Sequence, residues 1–204
     1  MSGVARAQRR RTPTERRAAR AAVDDPAVVL EAAAIFLAAR PRSVAETRRR
    51  LREQGYRDEL IELVLSRLLE FGYLDDEAFG RAWLESRDRA HPRGEAALRR
   101  ELAQKGIERE TIARLLRERA ARRAEDVSAG GGEAGSGPAP APDLQAARNL
   151  LARRWRSLSR DADLRRRRAH AYALLARNGF DPEVIGEALA GVESDDLDDR
   201  PPDP

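Results

Sequence analysis

Cysteine is absent from this 204-residue chain, which excludes disulfides, Cys-ligated zinc and thiol catalysis and agrees with a reducing compartment. Long apolar runs are missing as well. The longest, AVVLEAAAIFLAA over residues 27–39, is interrupted by Glu31 and falls short of the roughly 20 residues needed to cross a bilayer. The opening stretch MSGVARAQRRRTPTERRAARAAV has charge but no apolar segment of the kind a secretion signal carries, so a cytoplasmic location without membrane association is expected. Period-two alternation and β-branched runs are lacking, which removes support for strands. Chemistry is equally sparse. His91 and His170 are isolated, with no neighbour suggesting a general base or a metal ligand. The stretch GGGEAGSG has neither the lysine nor the preceding strand of a phosphate-binding loop. No catalytic residue, metal or cofactor is expected.

Charge is plentiful, with 39 Lys and Arg against 35 Asp and Glu and a net +4. The pI is about 10.2. Every Lys or Arg position except Lys105 is arginine, and alanine is abundant, a bias that points to a GC-rich genome and makes arginine content alone a poor argument for nucleic-acid binding. Its distribution says more. Residues 1–25 hold seven arginines against Glu15, Asp24 and Asp25, whereas residues 193–204 hold six carboxylates against Arg200. Neither end shows apolar periodicity, and both are expected to be disordered. Residues 127–142, containing SAGGGEAGSGPAPAP, have almost nothing to bury and read as a flexible insertion.

Between these segments the pattern is helical. DELIELVLSRLLEFG places apolar residues at 60, 61, 64, 65, 68 and 69, Phe79 and Trp83 are four apart, and so are Leu98 and Leu102. Asp25 with Pro26, Ser43 with Glu46, and Asp181 with Pro182 are helix-start signals. Three helix ends share a spelling: LREQGY, LAQKGI and LARNGF, each a leucine, three residues, a glycine and a large apolar residue. Gly55, Gly106 and Gly179 are placed to end helices in the left-handed conformation, with Tyr56, Ile107 and Phe180 supplying the apolar contact that follows. The glycines are 51 and 73 residues apart, and the excess matches the insertion with its flanks. A tandem repeat follows, with room for three helices per copy. The helices are expected at 26–40, 43–54 and 57–71, then 75–90, 94–105 and 108–125, then 143–156, 160–178 and 181–191. The all-α chain thus divides into repeats at 26–72, 73–126 and 143–192, forming an elongated, curved array.

The junction GYLDDEAF, residues 72–79, joins the first two repeats. Its carboxylates admit an acid/base or metal site, but no His or further carboxylate stands at ligand spacing. Asp75 is instead placed as a helix cap, with Asp76 and Glu77 in the first turn, where the helix dipole favours negative charge. At these residues the chain resembles a known family: FGYLDDEAFGRAWLESR followed by GEAALRRELAQKGIERETI is similar to the central segment of RecX, the bacterial regulator of the RecA recombinase. The likeness spans about residues 27–191 without the insertion, and its structural motif comprises Gly72, Tyr73, Leu74, Asp75, Asp76, Phe79, Trp83, Leu98, Leu102, Gly106 and Ile107. The chain departs from the pattern in its basic N-terminus, insertion, acidic tail and Gly80.

The resemblance implies a tandem of three-helix repeats and a non-enzymatic, regulatory role in DNA repair, homologous recombination and the SOS response. Such proteins bind RecA and its filament on single-stranded DNA and suppress ATP hydrolysis, strand exchange and filament growth; this chain would do so as a monomer, with weak DNA binding as an accessory. The candidate contact residues are Arg48, Arg49, Arg50 and Arg52 around Leu51, Arg99 and Arg100 before Leu102, Arg165 and Arg166, and Arg81 and Arg87. Each arginine run also fits a plain solvated face, and Trp83 and Trp155 fit packing better than base stacking. Alternative readings are a helical DNA-binding protein acting through arginine-rich faces, and a helical-repeat scaffold for another protein.

Overall fold

Left-handed glycines punctuate the backbone. In the computed structural model, which describes residues 12–129, 142–158, 160 and 163–198, all regular structure is helical. The elements are α1 (Pro13–Ala21), α2 (Pro26–Ala38), α3 (Val44–Gln54), α4 (Asp58–Glu70), α5 (Asp76–Ala90), α6 (Glu95–Gln104), α7 (Arg109–Ala129), α8 (Pro142–Leu158), α9 (Leu164–Arg177) and α10 (Pro182–Asp198). Gly55, Gly106 and Gly179 have φ of 102°, 82° and 81°. Behind each, the apolar residue's N–H returns to the carbonyl of the leucine five positions earlier: Tyr56 to Leu51, Ile107 to Leu102 and Phe180 to Leu175, at 3.2–3.3 Å. A fourth end repeats the motif at Gly72 (φ 72°), where Tyr73 N–H reaches Leu68 O at 2.8 Å. Here the apolar roles are reversed: Tyr73 is exposed, and Leu74 turns inward at 2% exposure.

The chain divides into two compact units, and the division falls inside α5, between Phe79 and Gly80. In the first unit, Val29 and Ala33 of α2, Leu51 of α3 and Leu60, Ile61, Val64, Leu65 and Leu68 of α4 form one buried cluster with Tyr56 and Leu74. Asp25 caps α2 by accepting Ala27 N–H at 2.8 Å, and Ser43 caps α3 by accepting Glu46 N–H at 3.1 Å.

The second unit contains two further sets of three helices. Leu84, Leu98, Leu102, Ile112 and Leu115 are buried in the first of them. Leu144, Leu151, Ala171, Leu175, Phe180 and Ile185 gather in the core of α8, α9 and α10. Gly80, unexpected inside a helix, is explained here: a Cβ on it would collide with Leu115 Cδ1, so its absence lets α7 lie close to α5. The start of α6 meets the end of α9 just as tightly. Gly94 N–H donates to Asn178 O at 3.1 Å, and a Cβ on Gly94 would stand 2.6 Å from Phe180 N.

Helices reach into both end segments. Within residues 1–25, Thr12 and Glu15 form a reciprocal capping box with Pro13 at the first helical position and so start α1. At the other end, α10 continues past residue 193 to Asp198. Residues 1–11 and 199–204 lie outside the described residues. So does most of the expected insertion, since α7 runs to Ala129 and α8 begins at Pro142.

Candidate partner-binding surface

Three-helix repetition places Leu51, Leu102 and Leu175 in the cores of their repeats at 0% exposure. The arginines beside them differ in how far they are engaged. Arg48 is clamped by Glu62, its Nε donating at 2.6 Å and its Nη2 at 2.9 Å. That hydrogen bond raises the Arg48 pKa above its ordinary value and lowers that of Glu62. Arg52 donates to Asp58 at 2.7 Å, while Arg50 stands over the Phe36 ring at 5.9 Å. Arg49 has a loose intrahelical partner, Glu53 at 3.9 Å, and 63% of its side chain is exposed.

In the second unit Arg99 pairs with Glu95 one turn away on α6. Arg100, at the position equivalent to Arg49, is exposed and has no side-chain hydrogen bond or ion pair among the described residues. Arg81 donates to Glu118 at 3.2 Å. Arg87 is committed twice, donating to Glu101 at 2.7 Å and lying 4.5 Å from the Trp83 ring centroid. Arg165 is exposed at the start of α9, and Arg166 pairs with Asp163, the cap of that helix, at 3.6 Å. Arg49, Arg100 and Arg165 are therefore the candidates whose guanidinium groups a partner can reach with least internal competition.

The motif residues prove to be structural in varied ways. Asp75 accepts Glu77 N–H and Ala78 N–H at 2.8 and 2.9 Å and caps α5. Asp76 reaches back to α3, accepting Val44 N–H at 2.9 Å. The second unit repeats this arrangement: Asp143 of α8 accepts Glu95 N–H, the first amide of α6, at 2.7 Å. Phe79, Leu98, Leu102 and Ile107 are buried. Trp83 is half-buried, donates Nε1–H to Glu101 at 3.0 Å and carries Lys105 at 4.8 Å on its ring as well as Arg87. Trp155 is also half-buried, with Arg167 5.9 Å from its ring centroid.

Sequence reasoning missed two groups. Arg119 is 5% exposed and held by Asp88 and Asp143 at 2.9 and 3.3 Å. Burial alone would depress its pKa, but the hydrogen bonds and charges of Asp88 and Asp143 hold it above the ordinary value. The arginines of α1 were placed in a tail without structure; the Thr12–Glu15 spacing is the signal that identifies their helix. No group of His, Cys, Asp and Glu suited to a metal occurs among the described residues, and no helix there is long and apolar enough to cross a membrane.

Comparison with known proteins agrees with the threefold division. Family models described as the first, second and third three-helix domains of RecX match residues 30–68, 75–116 and 142–189. The regulatory protein RecX of Prosthecochloris aestuarii is 32% identical over 154 residues, covering 76% of this chain and 86% of that protein. Its counterpart in Pseudomonas putida is 30% identical over 174 residues, 85% of this chain and 97% of the relative. The Deinococcus radiodurans protein is 35% identical over 156 residues; the match takes in 76% of this chain but 64% of that relative, just under two thirds of its length. In fold, the chain is similar to the crystal structure of RecX from Lactobacillus salivarius, with a TM-score of 0.65 at 15% identity over 83% of this chain and 97% of that one.

Proposed function

Because this chain belongs to the RecX family of regulatory proteins, we propose that it binds the RecA recombinase and its filament on single-stranded DNA and restrains ATP hydrolysis, strand exchange and filament growth. The observation carrying this reading is the match of all three domains to the family, in order. Two exposed side chains support a location for the contact. Arg49 and Arg100 stand two residues before the buried leucines of their helices, both exposed, with one loose partner and none among the described residues. Guanidinium groups so placed are available to carboxylates or phosphates on a partner surface.

The test is co-sedimentation with the host's RecA on single-stranded DNA, with and without ATP, together with RecA ATPase measurements. The parent protein is expected to co-sediment preferentially with the ATP-bound filament and to slow hydrolysis. Arg49→Glu combined with Arg100→Glu is expected to fold normally, since exposed helix positions accept such changes within about 0.5 kcal/mol. It should lose inhibition several-fold, and the difference should narrow at high salt. Equal inhibition by parent and variant would remove these two residues from the contact. Absence of any ATP-dependent binding would remove RecA as the partner.

A further inference from the structure

One basic cleft is shared between α1, which precedes the first matched domain, and the α3 end of that domain. Helix α1 crosses the C-terminal end of α3 closely, and a Cβ on Gly55 would stand 3.0 Å from the Arg17 carbonyl oxygen. Between α1 and the turn that joins α3 to α4 is an open cleft of about 1210 Å³, lined by Arg16, Arg17 and Arg20 of α1 and by Arg50 and Arg52 of α3. Two carboxylates also border it, and both are engaged: Asp58 by Arg52 at 2.7 Å and Glu53 by Arg49 at 3.9 Å. Arg16 and Arg17 have no ion pair among the described residues. Arg20 and Arg50 lie over aromatic rings instead, Tyr56 at 5.7 Å and Phe36 at 5.9 Å. A cation–π contact of this kind orients a guanidinium through its face and leaves its N–H edges able to donate.

We propose that this cleft binds the phosphodiester backbone of a nucleic acid. Planar guanidinium forks match phosphate oxygens bidentately. The lining also discriminates between polyanions. A protein segment is held chiefly by anchors sunk in apolar pockets, yet α1 contributes Pro, Thr, Ala and Arg to the cleft, and Tyr56 is 8% exposed beneath Arg20. A phosphate backbone needs no such pocket: clustered cations suffice, and the contact carries no sequence preference. The test of this site is separate from that of the RecA reading, because RecA has no part in the binding.

The experiment is fluorescence anisotropy of a labelled oligothymidylate titrated with the full chain across a range of salt concentrations, without RecA. The variant is Arg16→Ala, Arg17→Ala and Arg20→Ala together, with Arg109→Ala, Arg117→Ala and Arg177→Ala as an equally discharged control at exposed positions of the second unit. Each phosphate neutralised on a single strand contributes roughly 0.7 to the slope of log affinity against log salt. The α1 variant is therefore expected to lose about 2 from the slope, and at least ~10-fold in affinity near 0.1 M salt by the same relation. The control should keep most of both. Arg16→Lys, Arg17→Lys and Arg20→Lys together should retain most of the slope, and unchanged circular dichroism should show that the Arg→Ala variant is folded; Arg16→Gln, Arg17→Gln and Arg20→Gln together read the same loss should the Arg→Ala variant melt early. Equal losses in variant and control would overturn the proposal by showing diffuse charge attraction, and no loss would show that the cleft is idle. Polyglutamate displacing the oligonucleotide as readily as unlabelled oligothymidylate does would reassign the cleft to an acidic protein segment.

Discussion

Arg119 shows how much one side chain can hold in a chain so rich in arginine. Its guanidinium, 5% exposed, joins Asp88 of α5 and Asp143 of α8 from its place on α7. Replacing it with methionine keeps the aliphatic bulk but leaves two largely buried carboxylates without their cation. The expected loss is about 3 kcal/mol in urea unfolding, well above that of an exposed arginine. A second residue tests the backbone: Gly106→Val forces a β-branched residue to φ near 82°, and thermal unfolding should register a loss of about 2 kcal/mol or more. The two residues differ in legibility. Gly106 could be read from the sequence because its leucine and isoleucine neighbours recur at fixed spacing. Arg119 could not, because its partners lie 31 and 24 residues away and its surroundings, RERAARRAED, read as a solvated charged helix.

At the scale of the helix, the adjacent carboxylates of GYLDDEAF turn out to serve two different helices. Asp75 closes the start of its own helix, whereas Asp76 accepts the first amide of α3. Sequence placed both at the start of α5 correctly, but the cross-helix bond depends on how α5 is rotated against α3, which no local pattern encodes. Asp76→Ala is expected to cost about 1 kcal/mol, the usual value of a lost cap, and amide exchange at Val44 should quicken. The Arg48–Glu62 clamp between α3 and α4 gives a pH-dependent prediction. With the Glu62 pKa lowered by the hydrogen bond from Arg48, the pair contributes fully above the ordinary carboxylate value of about 4.3 and fades as pH falls through the lowered folded value. Because Glu62 is half exposed, the contribution is ~0.5 kcal/mol at most. Glu62→Gln should be less stable than the parent at neutral pH by that margin, and the difference should vanish in acid.

Across the whole molecule, the all-helical class and the threefold repetition were readable because the second helix of each copy ends on the same glycine signal, and three family domains follow that order. What escaped was the way consecutive copies complete one another. Asp76 finishes α3 from the copy that follows it, and Asp143 finishes α6 in the same manner. A chain ending at residue 126 therefore loses more than α8, α9 and α10: Glu95 N–H and Arg119 lose Asp143, and Gly94 N–H loses Asn178 O. Faster hydrogen exchange at Gly94 and Glu95 and an earlier melt of α5, α6 and α7 are expected in that truncation; unchanged protection there would show that each copy stands alone. This borrowing also sets a timetable during synthesis. When α3 leaves the ribosome, its first amide must wait for a carboxylate 32 residues further along, and that of α6 for one 48 residues further. Each of the first two copies emerges with an open helix start that its successor closes, while α9 carries its own cap in Asp163, so direction of translation becomes order of completion.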